Sequence, residues 1–372
     1  MKISEIIDKY TSPIQLFNNT LRRENLYHPD SAKQEEPEAE IQKKIVNYTI
    51  VQFNEQEADI FKSKEVKDCL IENTDTDKIL WINVDGIKKK EVRRLCNNYK
   101  VHNLLINDIL SIGQRAKTDE IDEHYFCLLP ILSYNPEFQM VEQKQVTILL
   151  ARNMVISFQP DSDHDSFIPI KQKLKNKLDS IRKKSADYLF YELIDGIVDE
   201  YFKALDLLSH RLSDLERKAL SPKNKKNILI EISSLRNEIM IMRRAMTPVK
   251  DVVFTLWQAN TPLIENRNAR YFKDIYDHIL LAIEYNDGYR EMTVALQDLY
   301  MNQVNTRMNE VMKILTMATV LLAPATVIGG IFGMNFDKIP MVHNQVGFFI
   351  TIGIMIITSI LMIWYFRKKG WF

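Results

Sequence analysis

Polar and small side chains recur on one face of a long predicted helix near the C-terminus. Their spacing alternates between four and three residues, which places them on a single stripe of an α-helix. The stripe consists of Asp298, Asn302, Asn305, Asn309, Met312, Thr316, Thr319, Ala323, Thr326 and Gly330. Amide, hydroxyl and carboxylate groups can bind water along almost the whole of this face.

Two explanations fit the stripe. Its second half lies in an apolar segment, where small residues could simply allow two helices to pack closely. Its first half carries amides and a carboxylate, which close packing does not need, and one asparagine normally suffices to fix the register of associating helices. A water-filled axis surrounded by several copies of the helix accounts for both halves. This interpretation requires an oligomer, and the spacing does not give its number.

Two uncharged apolar stretches, 314–334 and 346–366, are each long enough to cross a hydrocarbon core of about 30 Å. The tripeptide Gly333-Met334-Asn335 follows the first stretch. Taken alone, it is explained as a helix end, with Gly333 in the left-handed region and Asn335 beginning a turn.

The charges around this hairpin predict that both termini face the cytoplasm, because cytoplasmic flanks are enriched in lysine and arginine. The flanking basic residues are Arg307, Lys313, Arg367, Lys368 and Lys369. The first ten residues lack the apolar core of a signal peptide. We therefore expect the hairpin itself to direct the chain to the plasma (inner) membrane as a multi-pass protein.

Composition argues against several classes of protein. Lysine plus arginine and aspartate plus glutamate both number 49, so nothing suggests a nucleic-acid partner. Neither GxxxxGK[ST] nor GxGxxG occurs, so we expect no nucleotide and no organic cofactor. The three cysteines lack CxxC spacing, which disfavours a thiolate metal site. The seven histidines are dispersed, and an enzyme is the least expected class.

Composition also divides the chain. Residues 1–44 form a polar N-terminal extension or linker. Residues 45–160 are predicted to form an α/β domain, with strands at 46–53, 79–84, 125–133 and 145–158 and helices at 64–73 and 89–99.

Helical periodicity continues from residue 161 almost to the membrane. Helices are predicted at 188–220, at 227–246 and, after a break at Pro248, at 269–332. The acidic residues along 188–220 are interpreted as a solvated helix face.

At this point the residues match a known family. Residues 307–336, RMNEVMKILTMATVLLAPATVIGGIFGMNF, followed by a second span and the terminus RKKGWF, closely resemble the CorA family of magnesium and cobalt channels. Weaker matches are WINVDG at 81–86, NDIL at 107–110 and YFKDIYDH at 271–278. The resemblance covers about residue 45 to the end, and GMN between two C-terminal spans is its specific signature.

The resemblance implies an α+β membrane protein that assembles as a homopentameric funnel. Its implied parts are a cytosolic α/β domain (45–160), a helical part (161–250), a stalk helix (251–312), a pore-lining first span (313–334), an outer loop (335–345), a second span (346–366) and a basic cytosolic tail (367–372). Its partners would be the lipid bilayer, further copies of itself and divalent cations.

The resemblance also implies roles for single residues. Gly333, Met334 and Asn335 would form the selectivity filter, with Asn335 as its outer ring. Further pore positions would be Asp298, Asn309, Leu315 and Thr326, with Leu315 as a hydrophobic constriction. Asp108 and the Asp274 of a neighbouring subunit would bind regulatory Mg²⁺, although Asp274 taken alone is explained as a surface acid.

Two departures from the family pattern concern the pore. Ala323 replaces a methionine common in the middle of the family's pore, so we expect a wider neck or a gate at Leu315 instead. The loop after Asn335 carries one acid, beside Lys338 and His343, and should attract cations less strongly.

Two alternatives stay open beside a potential-driven Mg²⁺ channel that also passes Co²⁺ or Ni²⁺. One is a Zn²⁺ carrier of the same superfamily, against which stand the intact Met334 and the lack of a histidine or cysteine cluster. The other is a membrane-anchored scaffold or sensor that conducts nothing and would tolerate Asn335→Ala.

Overall fold

The computed structural model describes residues 46–71, 77–135, 140–160, 165–176, 180–221, 227–334 and 345–371. These residues form two compact units. Unit 1 holds the described residues before 208 together with 241–286, and unit 2 holds 208–240 and the described residues from 287 onward. The predicted N-terminal extension and almost all of the loop 335–345 lie outside the described residues.

Unit 1 is built on a seven-stranded sheet with the order β2-β1-β3-β7-β6-β5-β4. Its strands are β1 (Asn47–Phe53), β2 (Ala58–Ser63), β3 (Ile79–Asp85), β4 (Lys117–Ile121), β5 (His124–Asn135), β6 (Met140–Ala151) and β7 (Met154–Gln159). Only β3 and β7 pair in parallel, and Asp85 lies opposite Gln159 at the carboxyl ends of that pair. All residues of β7 are buried, as expected of a strand covered on both faces.

Helices cover both faces of this sheet. On one face lie α1 (Lys89–Asn98) and α2 (Asn103–Leu110), which bury an apolar stripe that includes Leu95 and Leu105. On the other face Trp81 meets Phe167, just before α3 (Ile168–Lys175), edge to face at 6.1 Å between ring centroids. The same face receives α4 (Ala186–Leu220), whose Tyr201 hydroxyl donates to the carbonyl of Pro130.

A buried polar network lies under α3 at the carboxyl ends of β3 and β7. The Asn83 side-chain oxygen accepts from Ser157 Oγ at 2.6 Å and from Gln159 Nε2 at 3.1 Å. Asp85 Oδ1 accepts from Asn83 Nδ2 at 2.9 Å and from Gln159 Nε2 at 3.0 Å. Because each polar group has a partner, the network can be buried without the full desolvation penalty.

Three long helices complete the described chain: α5 (Ile228–Trp257), α6 (Ala269–Phe332) and α7 (Gln345–Lys368). The C-terminal part of α6 and almost all of α7 are long and apolar enough to cross a membrane. Only 6% of each apolar window is buried within the chain, whereas the core helix of a soluble protein would be mostly buried. The predicted two-span C-terminus, with a long helix continuing into the first span, is confirmed.

The sheet differs from its prediction in three places. The segment 145–158 was expected to be one strand, but it holds parts of β6 and β7, which Arg152 and Asn153 separate in a tight hairpin. Neither β2 nor β4 was predicted. Both lie at the edges of the sheet, where one side of a strand meets solvent and charged residues are favoured, so their apolar signal is weak.

Two helix predictions are wrong. The chain does not break at Pro248, since α5 continues through it to Trp257. Pro248 is buried, as are Val249 and Val253 after it, so packing outweighs the lost backbone hydrogen bond. The expected helix at 64–73 is, within its described part, a single 3₁₀ turn, Val66–Cys69. The long helix itself begins at Ala269, later than the start of the 251–312 stalk segment.

We expect Asp85→Asn to make unit 1 less sensitive to pH. Burial raises the pKa of Asp85 to about 6, against the opposing charge of Lys171. A carboxyl with a raised folded-state pKa destabilises the fold when ionised, so this loss is absent near pH 4 and fully present above pH 6. The wild type should therefore lose up to about 3 kcal/mol relative to the variant between pH 4 and pH 7.5.

The measurement is the thermal midpoint of the full-length protein in detergent at several pH values. The matched control is Asp59→Asn, which removes an exposed carboxylate from β2 of the same sheet. Parallel pH profiles for the wild type and Asp85→Asn would contradict the assignment of this pH dependence to Asp85.

Candidate ion pathway and regulatory site

The polar stripe lies along one exposed side of α6. Every member predicted from the sequence is exposed on the single chain, from Asp298 to Gly330. Buried positions of the same helix fall on another side, among them Thr293, Leu296 and Met317. Within residues 298–332 only Met317 is buried, so a single chain leaves the stripe uncovered together with most of the rest of this part of α6.

The threonines of the stripe share one arrangement. The hydroxyl groups of Thr316, Thr319 and Thr326 each donate to the carbonyl four residues earlier, at 2.7, 2.8 and 3.0 Å. A hydroxyl that donates its hydrogen bond to a backbone carbonyl of the helix still has oxygen lone pairs that can accept hydrogen bonds. These side chains therefore offer oxygen acceptors to water or to a cation.

Two large apolar side chains lie between the polar groups of α6. Leu315 is 60% exposed and Met312 is 54% exposed, although both are large and apolar. Both lie between the amides of the N-terminal half of the stripe and the threonines of its C-terminal half. Ala323, where the family often has methionine, is also exposed and projects only a methyl group.

The first span ends at the GMN tripeptide. The α6 helix ends at Phe332, and the amide of Gly333 still donates to the Gly329 carbonyl at 2.9 Å. The predicted left-handed cap is wrong, because Gly333 is not among the described glycines with positive φ. A Cβ on Gly333 would lie 3.3 Å from the Gly329 oxygen, so a larger residue would press on the backbone. Asn335 lies outside the described residues.

Asp108 lies near the end of α2 in unit 1. Its Oδ2 is 2.7 Å from Nζ of Lys117 on β4, an ion pair that the sequence prediction missed. The Gln145 amide fixes the loop that follows α2, because its Nε2 donates to the Ser111 carbonyl at 3.0 Å and its Oε1 accepts from the Gly113 amide at 3.1 Å. Asp108 is thus a positioned carboxylate that already has a cationic partner.

Asp274 lies on the exposed side of α6 in unit 1, one turn before His278. His278 Nδ1 is 3.7 Å from Asp195 Oδ1 on α4. Burial, and next the charge of Asp199, raise the pKa of Asp195 to about 6, and Asp274 adds to this effect. Asp274 therefore belongs to a local excess of negative charge.

Among the described residues of one chain, no ion pair or hydrogen bond joins Asp108 to Asp274. No group of three or more histidine, cysteine, aspartate or glutamate side chains in that part of the chain could hold a metal ion. One copy therefore does not build a complete regulatory site from its described residues. The contacts of Asp108 with Lys117 and of Asp195 with His278 were not predicted, since neither has a signal in local spacing. Asp195 was interpreted as part of a solvated helix face, whereas it is partly buried.

Comparison with known proteins agrees with this architecture. Residues 76–368 match the family described as CorA-like Mg²⁺ transporter protein. The chain is 32% identical, over 328 residues, to the cobalt/magnesium transport protein CorA of Thermotoga maritima, and the match covers 88% of this chain and 91% of that protein. It is 26% identical over 300 residues to the cobalt/magnesium transport protein CorA of Methanocaldococcus jannaschii, and that match covers 79% of this chain and 92% of that protein.

The fold is also that of a solved full-length structure. The complete structure of the CorA magnesium transporter from Methanocaldococcus jannaschii superimposes with a TM-score of 0.73 at 22% identity, covering 87% of this chain and 98% of that one. The match includes the N-terminal α/β domain, the long helix and the two apolar C-terminal helices. On this evidence the chain belongs to the CorA-like Mg²⁺ transporter protein family, a family of transporters and not of enzymes.

Proposed function

We propose that this protein is a homo-oligomeric channel that carries Mg²⁺ across the plasma membrane, with Co²⁺ or Ni²⁺ as further ions. The observation that carries the proposal is the uncovered stripe of α6, which runs from Asp298 into an apolar span and ends near the GMN tripeptide. A polar face inside a lipid bilayer must meet protein or water rather than lipid. Several copies of α6 around one axis satisfy this requirement, and the number five is taken from the family resemblance.

The oxygen acceptors that several copies of α6 would place around the axis suit a hydrated Mg²⁺ ion. Mg²⁺ gives up its water shell reluctantly, so neutral oxygen acceptors can hold the ion through its water molecules. Amides at Asn309 and Asn335 and hydroxyl oxygens at Thr326 are such acceptors. Neutral groups also release the ion more readily than a ring of carboxylates, and conduction requires release. The exposed Leu315 supplies the hydrophobic constriction at which the pathway can close.

The driving force in this proposal is the membrane potential. Basic residues flank the hairpin on its N- and C-terminal sides, which favours a cytoplasmic position for both termini and an outer position for Asn335. An inside-negative potential then favours inward movement of a divalent cation by about 4.6 kcal/mol per 100 mV.

Regulation is proposed to act between subunits. Mg²⁺ bound between Asp108 of one copy and Asp274 of the next would neutralise both carboxylates and hold the closed state. Support comes from the negative charge around Asp274 and from its lack of an ion pair within the described part of the chain. Lys117 lies 2.7 Å from Asp108 and would compete with the ion for that carboxylate.

We expect Asn335→Ala to lower Mg²⁺ uptake into proteoliposomes by at least about tenfold under an imposed inside-negative potential, because a ring of amides is worth several kcal/mol to the entering ion. The matched control is Asn260→Ala, which removes an exposed amide between α5 and α6. Oligomers of both variants are verified by size-exclusion chromatography, and Zn²⁺ is tested in parallel.

Two results would contradict the Mg²⁺ channel, and a third would contradict the assignment of its filter. Zn²⁺ flux without Mg²⁺ flux would favour the zinc carrier. No flux of either ion through folded wild-type oligomer would favour the scaffold. Undiminished Mg²⁺ flux through Asn335→Ala would remove Asn335 from the filter.

We expect Lys117→Gln to lower the cytosolic Mg²⁺ concentration that half-closes the channel by about two- to fivefold, because a competing ion pair of this exposure is worth up to about 1 kcal/mol. Currents in excised inside-out patches measure this concentration directly. Arg115→Gln is the matched control, since it removes a nearby positive charge that pairs with Asp251 at 3.7 Å instead. An equal shift in both variants would show that Lys117 does not compete at Asp108.

A further inference from the structure

A cavity of about 640 Å³ lies in unit 1 between the sheet and α3. It is bounded by the start of β1, the end of β2 and the carboxyl end of β3. Ligands of α/β domains commonly bind beyond the carboxyl ends of parallel strands. The volume also falls within the range of about 300–1,000 Å³ for small-molecule sites.

A buried lysine lies on one side of this cavity. Lys171 is only 9% exposed, and its Nζ donates to Asp165 Oδ2 at 2.5 Å and to Thr49 Oγ1 at 3.4 Å. The same nitrogen is 5.8 Å from the centroid of the Trp81 ring. Because Thr49 and Trp81 of the sheet and Asp165 before α3 all contact the Lys171 ammonium group, it is a fixed positive charge.

Three further lysines line the cavity from two sides. Lys62 and Lys64 come from β2 and the residue after it, and Lys175 comes from the last turn of α3. None of the three forms an ion pair with any described residue. Among the described lining residues, four lysines therefore face two carboxylates, Asp85 and Asp165, which leaves two positive charges in excess.

This excess of positive charge attracts anions into the cavity. A concave site lined by charges of one sign focuses the field and concentrates counter-ions. Its own lysines repel one another until an anion enters. Lysine ammonium groups are common partners of phosphate, which can accept from several donors at once.

We propose that this cavity binds a small phosphate-bearing anion. Lys62, Lys64 and Lys175 neutralise the phosphate, and the amides of Asn47 and Gln172 supply further donors. An inorganic phosphate would fill only part of the volume. Ile60 and Ile168 offer apolar surface to the organic part of a phosphorylated molecule. The cavity shares no residue with the proposed ion pathway, and the inference does not depend on the proposed transport.

The test is calorimetric titration of the full-length protein in detergent, with EDTA and constant ionic strength, using inorganic pyrophosphate and AMP as probes. We expect saturable binding at one site per chain. Lys62→Gln/Lys175→Gln should weaken binding by at least about tenfold, because each charge-assisted hydrogen bond is worth about a factor of ten. The matched control is Lys89→Gln/Lys90→Gln, which removes two exposed lysines from α1 of the same unit.

A steric variant separates this cavity from general attraction of anions. Ile168→Trp keeps every charge but places a bulky ring at the cavity, so it should abolish binding while thermal melting confirms the fold. Tighter binding of AMP than of pyrophosphate would identify an organic phosphate as the ligand. Tighter binding of pyrophosphate would identify an inorganic phosphate. No saturable binding of either probe at millimolar concentration, equal weakening in both double variants, or full binding by Ile168→Trp would overturn the proposal.

Discussion

The uncovered polar stripe of α6 constrains how this protein can lie in a membrane. A transmembrane helix satisfies its own backbone hydrogen bonds, but polar side chains on its surface are unfavourable in contact with lipid. Here oxygen acceptors continue from the stalk into the apolar span, and the rest of the described chain leaves them exposed. A single copy would therefore leave polar groups exposed within a membrane, and the proposed assembly around a shared aqueous axis would remove this conflict.

Unit 1 also has polar groups that a single copy leaves without full compensation. Unit 1 has a well-packed sheet, yet its carboxylates are not all neutralised within one copy: Asp195 has a raised pKa among acidic neighbours, and Asp274 is exposed beside it. Repulsion of this kind lowers the stability of any arrangement that brings further acids close. In the proposed regulation, a divalent cation between copies would reverse the sign of that interaction and would link assembly to cation concentration.

Helix and strand periodicity in the sequence was enough to predict the long helix and the central strands. The continuity of α6 from Ala269 to Phe332, the central strands and the heptad spacing of the stripe all follow from periodicity. The edge strands β2 and β4 and the passage of α5 through Pro248 did not follow, because neighbouring elements decide them. Tertiary folding also creates the pair between Asp108 of α2 and Lys117 of β4. It likewise creates the lysine-lined cavity, whose lining residues range from Asn47 to Lys175.

Cysteine accessibility along the first span of the full-length oligomer in liposomes would show whether the stripe of α6 faces water. All three native cysteines are buried, and burial raises the pKa of Cys69 and Cys96 to about 12, so their background reaction with thiol reagents should be small. Cysteines at Thr319 and Thr326 should react with a membrane-impermeant reagent, whereas cysteines at Leu321 and Ile328, on the opposite side of the helix, should not. Reaction at the second pair, or protection of the first, would contradict a water-filled axis lined by the stripe.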